Sequence, residues 1–161
     1  MPLLRNTLGV VQSLYIFIEA SPKPHAMFVN TDDPSGNAFV ITLKSLSVTR
    51  WSARYEAVKG VKEELPRIIR YLWQIVQECD SKASADARSL LIAVLDFEFI
   101  FGLVTLMVIL PIASRLNSFI QSTTIDIRKV RLNAELAVGT LQGCRDEEQF
   151  DLLWERINKL M

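Results

Sequence analysis

Sixteen consecutive residues, Phe99 to Ser114 (FIFGLVTLMVILPIAS), carry no charge. A helix that is apolar on all sides belongs either in a bilayer or in the middle of a helical bundle. A membrane span takes roughly 20 predominantly apolar residues. Extending this run towards the N-terminus brings in Glu98 and Asp96, and extending it the other way meets Arg115. Charges near a bilayer centre are costly. The run therefore predicts the buried central helix of a soluble bundle, with a membrane span as the alternative. Half of the 161 residues are hydrophobic, enough for one domain with a core of ordinary size.

The rest of the chain supports an all-α fold of five to seven helices forming a single domain over residues 1–161. Leu4, Leu8, Val11, Tyr15 and Ile18 recur at helical spacing, which predicts a first helix over residues 3–19. Pro22 and Pro24 end it. The run Asn30 to Asn37 (NTDDPSGN) has the chemistry of a surface loop. Residues 38–44 (AFVITLK) are the one short strand or extended entry segment, with no second strand in view to pair with it. A helix capped by Thr49 begins near Trp51, with Trp51, Tyr55 and Val58 on one face. A break is expected between Gly60 and Leu65, because Pro66 fits only in the first turn of the next helix. Leu65, Ile68, Ile69, Leu72 and Val76 form the stripe of that helix.

Residues 79–84 read as a connector, followed by one long helix from about Ala85 to about Leu110, with Pro111 kinking or ending it and a helical piece continuing to about Gln121. Ile127, Val130, Ala134, Ala137, Val138 and Leu141 predict a further helix with a clean apolar stripe, stopped by Gly143. Asp146 with Gln149 reads as a capping box for a last helix that buries Phe150, Leu153, Trp154, Ile157 and Leu160.

Charge and cysteine usage exclude several functions. Eighteen basic residues are balanced by eighteen acidic ones, which argues against a strong, general nucleic-acid surface. Cys79, Cys144 and His25 supply three zinc ligands at most, one short of a structural site, so no metal and no cofactor is expected. Both cysteines read as reduced thiols. The N-terminus lacks the pattern of a signal peptide. Asp32 and Asp33 fall in the turn-rich loop, Asp96 and Glu98 point to different faces of a helix, and Glu147 and Glu148 suit a first helical turn. These acids do not converge, so no enzyme activity is expected.

Four stretches in order, spread over about residues 8–142, carry a resemblance. They are Val11–Phe17 (VQSLYIF), Leu43–Lys59 (LKSLSVTRWSARYEAVK), Phe97–Val104 (FEFIFGLV) and Leu116–Ile127 (LNSFIQSTTIDI). Together they resemble hAT-type DNA transposases and host proteins derived from them, such as the zinc-finger MYM-type-like proteins. In that family a ribonuclease-H-like fold holds three carboxylates for two-metal strand cleavage, and a large helical insertion interrupts it. The matched stretches belong to the insertion and its entry, and none is a catalytic motif. The family's two Asp residues would lie before Met1, and its Glu after the matched region. Pro22 to His25 (PKPH) departs from the family's more helix-compatible basic segment.

What the resemblance implies is therefore a transposase-derived, catalytically inactive helical module in the nucleus. Thr49, Arg50 and Trp51, with Arg54 nearby, are the implied nucleic-acid contacts. The aromatic would stack on a base and the basic residue would sit near phosphate. The competing reading of Trp51 is core packing, since Tyr55 and Val58 share its face. Expected partners are weakly bound DNA or a protein, with no membrane and no small-molecule substrate. The alternative is a structural or homo-oligomerisation module without nucleic-acid binding, because the apolar helix exceeds what a small bundle needs.

Overall fold

In a computed structural model, described over residues 2–19, 51–78, 81–122 and 126–161, the chain is built of helices alone. They are α1 (Pro2–Glu19), α2 (Trp51–Glu63), α3 (Leu65–Glu78), α4 (Ser81–Leu95), α5 (Phe97–Ile120), α6 (Ile127–Gly143) and α7 (Glu147–Asn158). The all-α bundle, with seven helices among the described residues, matches the expectation. Residues 38–44 lie outside the described residues, so the short strand has no structural counterpart to compare.

The uncharged run forms the centre of the bundle. α5 packs against α1, α2, α4, α6 and α7, and it buries Phe99, Ile100, Gly102, Leu103, Val104, Leu106 and Leu110. The sequence does not give this helix a separate start, because the apolar pattern runs on from Ala85. Asp96 supplies the break. Its extended backbone (φ −70°, ψ 135°) makes it an N-cap, and its carboxylate accepts from the Glu98 N–H at 3.4 Å. The predicted single helix from Ala85 to Leu110 is thus two helices, α4 and α5. Pro111 sits inside α5, which continues to Ile120.

α2 and α3 meet where the glycine and proline signals overlap. α2 runs through Gly60, and the turn at Glu64 keeps helical hydrogen bonds on both sides: Glu64 N–H donates to the Gly60 carbonyl at 3.1 Å, and Ile68 N–H donates to the Glu64 carbonyl at 2.9 Å. Pro66 then falls in the first turn of α3, where its missing N–H costs nothing. α3 buries Leu65, Ile68, Tyr71, Leu72 and Ile75. It packs on α4, and the Ser84 hydroxyl of α4 donates to the Val76 carbonyl near the end of α3 at 3.1 Å. That bond occupies one of the carbonyls that every helix leaves unpaired at its C-terminus.

α1 presses closely on α5. Its buried stripe is Thr7, Val11, Leu14 and Ile18, with Leu4, Leu8 and Tyr15 packed at the edge. Gly102 is what permits the approach. A β-carbon there would collide with the Thr7 hydroxyl and lie 3.1 Å from Thr7 Cβ. The Thr7 hydroxyl is satisfied within α1 by donating to the Leu3 carbonyl at 3.0 Å.

The two C-terminal helices behave differently from the sequence expectation. α6 starts at the N-cap Asp126, whose carboxylate accepts from the Arg128 N–H at 2.9 Å, yet it buries no residue. Val130, Ala134, Ala137 and Leu141 are half-buried, whereas Ile127 and Val138, predicted for the same stripe, are exposed. Gly143 does not stop α6 in a left-handed conformation; it is the last helical residue, followed by Cys144 with φ −68° and ψ −2°. α7 buries only Ile157. Leu153 and Leu160 are half-buried, and the predicted core residues Phe150 and Trp154 are 53% and 43% exposed. Asp146 takes the N-cap position of α7, but its side chain makes no capping bond.

Candidate functional site

Of the residues implied as nucleic-acid contacts, Thr49 and Arg50 lie outside the described residues. Trp51 is the first residue of α2, and it occupies the register of Tyr55, which is half-buried, and Val58, which is fully buried. Arg54 is half-buried and engaged in an interaction. Lys59 and Lys62 stand on α2 and Arg70 on α3, on either side of the Glu64 turn. Lys59 lies 4.0 Å from Glu63 across one helical turn. This is a solvated pair of low value.

The acidic residues serve local roles. Asp96 and Asp126 cap helices, and Glu147 and Glu148 stand in the first turn of α7, where the helix dipole favours negative charge. Among the described residues, no three His, Cys, Asp or Glu side chains are grouped so as to hold a metal ion. Asp32 and Asp33 lie outside the described residues. A cleft of about 130 Å³ lies between α1, the end of α4 and the start of α5, bordered by Asn6, Thr7, Asp96 and Glu98. Small-molecule sites have volumes of about 300–1,000 Å³, so this cleft is below the size of a substrate pocket.

The most distinctive surface lies elsewhere, and it includes Phe150 and Trp154, which the sequence places on a buried face. Among the described residues, the segment 127–161 contributes one of the 21 buried hydrophobic core residues, Ile157, but eight of the 14 large hydrophobic residues that are exposed. Four belong to α6: Ile127, Leu132, Leu136 and Val138. The other four are Phe150, Leu152, Trp154 and Met161. Phe97 at the start of α5 meets Trp154 edge-on, with ring centroids 6.0 Å apart, and Phe150 stacks on Trp154 at 6.4 Å. The Phe97–Trp154 contact joins α7 to α5, and the Phe150–Trp154 stack lies within α7; both leave ring surface open to water.

No protein-family model matches the chain, and no solved structure matches it.

Proposed function

We propose that this chain is a catalytically silent, hAT-transposase-derived helical module that acts in the nucleus by binding a protein through its C-terminal helices. The observation that carries this reading is the uneven division of apolar side chains among the described residues: α1 to α5 supply 20 of the 21 buried hydrophobic residues and expose six large ones, whereas α6 and α7 expose most of theirs. Large exposed apolar patches on a folded protein mark interaction surfaces. Leu132 and Leu136 stand one turn apart on α6, and Phe150 and Trp154 one turn apart on α7. A partner helix or groove reads anchors of this spacing. The balanced charge of the chain favours a protein over DNA as the main partner.

The test is site-specific photo-crosslinking of the full chain in cells, with benzoyl-phenylalanine placed at Leu132 or Leu152 and, as control, at the exposed Gln77 of α3. Discrete protein adducts at the first two positions, absent at Gln77, are expected. No adducts, or the same adducts at all three positions, would overturn the reading.

A further inference from the structure

Leu132, Leu136, Gly139 and Gly143 follow one another on α6 at steps of four, three and four residues. Those steps keep them on one face of a helix with 3.6 residues per turn. The residues that α6 turns towards α5 (Val130, Ala134, Ala137 and Leu141) lie on the other side. The outer stripe is open: Leu132 is 56% and Leu136 60% exposed, and a β-carbon added at Gly139 or Gly143 would meet nothing within 4 Å.

Among the described residues, nothing uses either glycine within a single chain. Both are helical, neither has positive φ, and neither lets another element approach. A glycine in an exposed helix costs about 1 kcal/mol relative to alanine, so α6 carries a local cost with no internal return. A second local cost stands at its start. Arg128 and Lys129 are exposed in the first turn, where the helix dipole disfavours cations. Past its other end come the exposed Asp146, Glu147 and Glu148, with Arg145 the one cation beside them.

We propose that the outer stripe of α6 is a homodimer surface, on which α6 of a second copy of this chain packs antiparallel about a two-fold axis between Leu136 and Gly139. The inference rests on the reading of α6 as a protein-binding surface and names its partner. The step order four, three, four is the same in both directions. Antiparallel pairing about that axis therefore sets Leu132 against Gly143 and Leu136 against Gly139, and does so twice. Each large side chain gains a gap left by a missing one, the arrangement that lets helix backbones come close. The same pairing brings the basic start of one α6 to the acidic segment after the other, which supplies complementary charge. Parallel pairing would set Leu on Leu, Gly on Gly and like charge on like. A two-fold contact of this kind is self-complementary and closes at two chains. One helix pair is at the low end of specific interface size, so the dimer is in reversible equilibrium with the monomer.

The test is sedimentation equilibrium of the full chain over a concentration series, at low salt and with reductant present so that Cys144 forms no disulfide. Four proteins are compared: wild type, Gly139→Gln, Arg128→Glu/Lys129→Glu, and that pair combined with Glu147→Lys/Glu148→Lys. The wild type is expected to move from monomer towards dimer. Gly139→Gln, a substitution that raises helix propensity, is expected to raise Tm and yet weaken dimerisation roughly tenfold or more, since it fills the gap on both sides of the axis. Reversing the basic pair weakens dimerisation, and reversing both ends restores it. A wild type that stays monomeric throughout, or a dimer indifferent to Gly139→Gln, would overturn the inference. A monomer that still gives cellular adducts at Leu132 would leave the protein-binding reading standing with a different partner.

Discussion

Gly102→Ala is the sharpest test of how α1 meets α5. In an isolated helix the substitution would stabilise by about 1 kcal/mol, because alanine is the better helix former. In this fold the new methyl group collides with the Thr7 hydroxyl and stands 3.1 Å from Thr7 Cβ and 3.3 Å from Thr7 Cγ2. Rotating the Thr7 side chain moves Oγ1 and Cγ2 but leaves Cβ 3.1 Å from the new methyl, so the contact stays tight. Moving the hydroxyl also gives up its bond to the Leu3 carbonyl, a loss of about 1 kcal/mol. Overpacking of a filled core costs typically about 1–3 kcal/mol. The balance is a net destabilisation of about 1–3 kcal/mol, the propensity gain offsetting the lost hydrogen bond. Urea denaturation followed by circular dichroism measures it. In a Thr7→Ala background the Oγ1 and Cγ2 clashes vanish and only the Cβ contact remains, so the same Gly102→Ala change should cost less. The difference is a coupling free energy between the two positions. A Gly102→Ala protein as stable as the wild type, or equal costs in the two backgrounds, would refute the close approach of α1 and α5.

Leu103→Ala, at a fully buried position of α5, is expected to cost about 2–5 kcal/mol, whereas Leu132→Ala on α6 should stay within about 0.5 kcal/mol at concentrations where the chain is monomeric; chemical denaturation of both separates core from surface. Asp126→Ala removes a carboxylate that accepts from the Arg128 N–H and should cost about 1 kcal/mol. Asp146→Ala, whose side chain makes no cap bond, should cost less in the same thermal-melt series. Ser84→Ala leaves the Val76 carbonyl without its hydroxyl donor and is expected to cost about 1 kcal/mol, with faster amide hydrogen exchange at the α3–α4 junction. Fluorescence anisotropy with hairpin and duplex DNA at low salt is expected to show weak, salt-sensitive binding that falls in both Arg50→Ala and Trp51→Ala; no binding by the folded wild type would remove DNA from the list of partners.

The helices were legible in the sequence wherever local chemistry decides. Pro66 required a helix start, and the uncharged run Phe99–Ser114 favoured the centre of the bundle over a membrane span. Two features were not legible. The break at Asp96 depends on one carboxylate turning back to cap its own backbone inside an apolar pattern that otherwise continues. The exposure of α6 and α7 depends on neighbours. Val130, Ala134, Ala137 and Leu141 do face α5, as their spacing predicts. The spacing says which face turns inward, but not how many helices cover it. The implied DNA contacts could not be placed by the same logic, because a residue such as Trp51 shares its register with core positions and would have the same spacing in either role.

The length of α5 explains why α6 is so poorly covered. At 24 residues α5 is longer than α1 (18), α2 (13), α3 (14) or α4 (15), and its last buried residue is Leu110. The ten residues that follow, Pro111 to Ile120, span about 15 Å of helix and include none that is buried. α6 follows directly on this stretch, and α5 is the one helix among those described against which it packs substantially. A single neighbouring helix covers one side of a cylinder, which accounts for a half-buried inner stripe and an outer stripe left in water. A second copy of α6 would supply the missing neighbour without any change in the bundle of α1 to α5. It would also give Gly139 and Gly143, open on their own, a surface to admit.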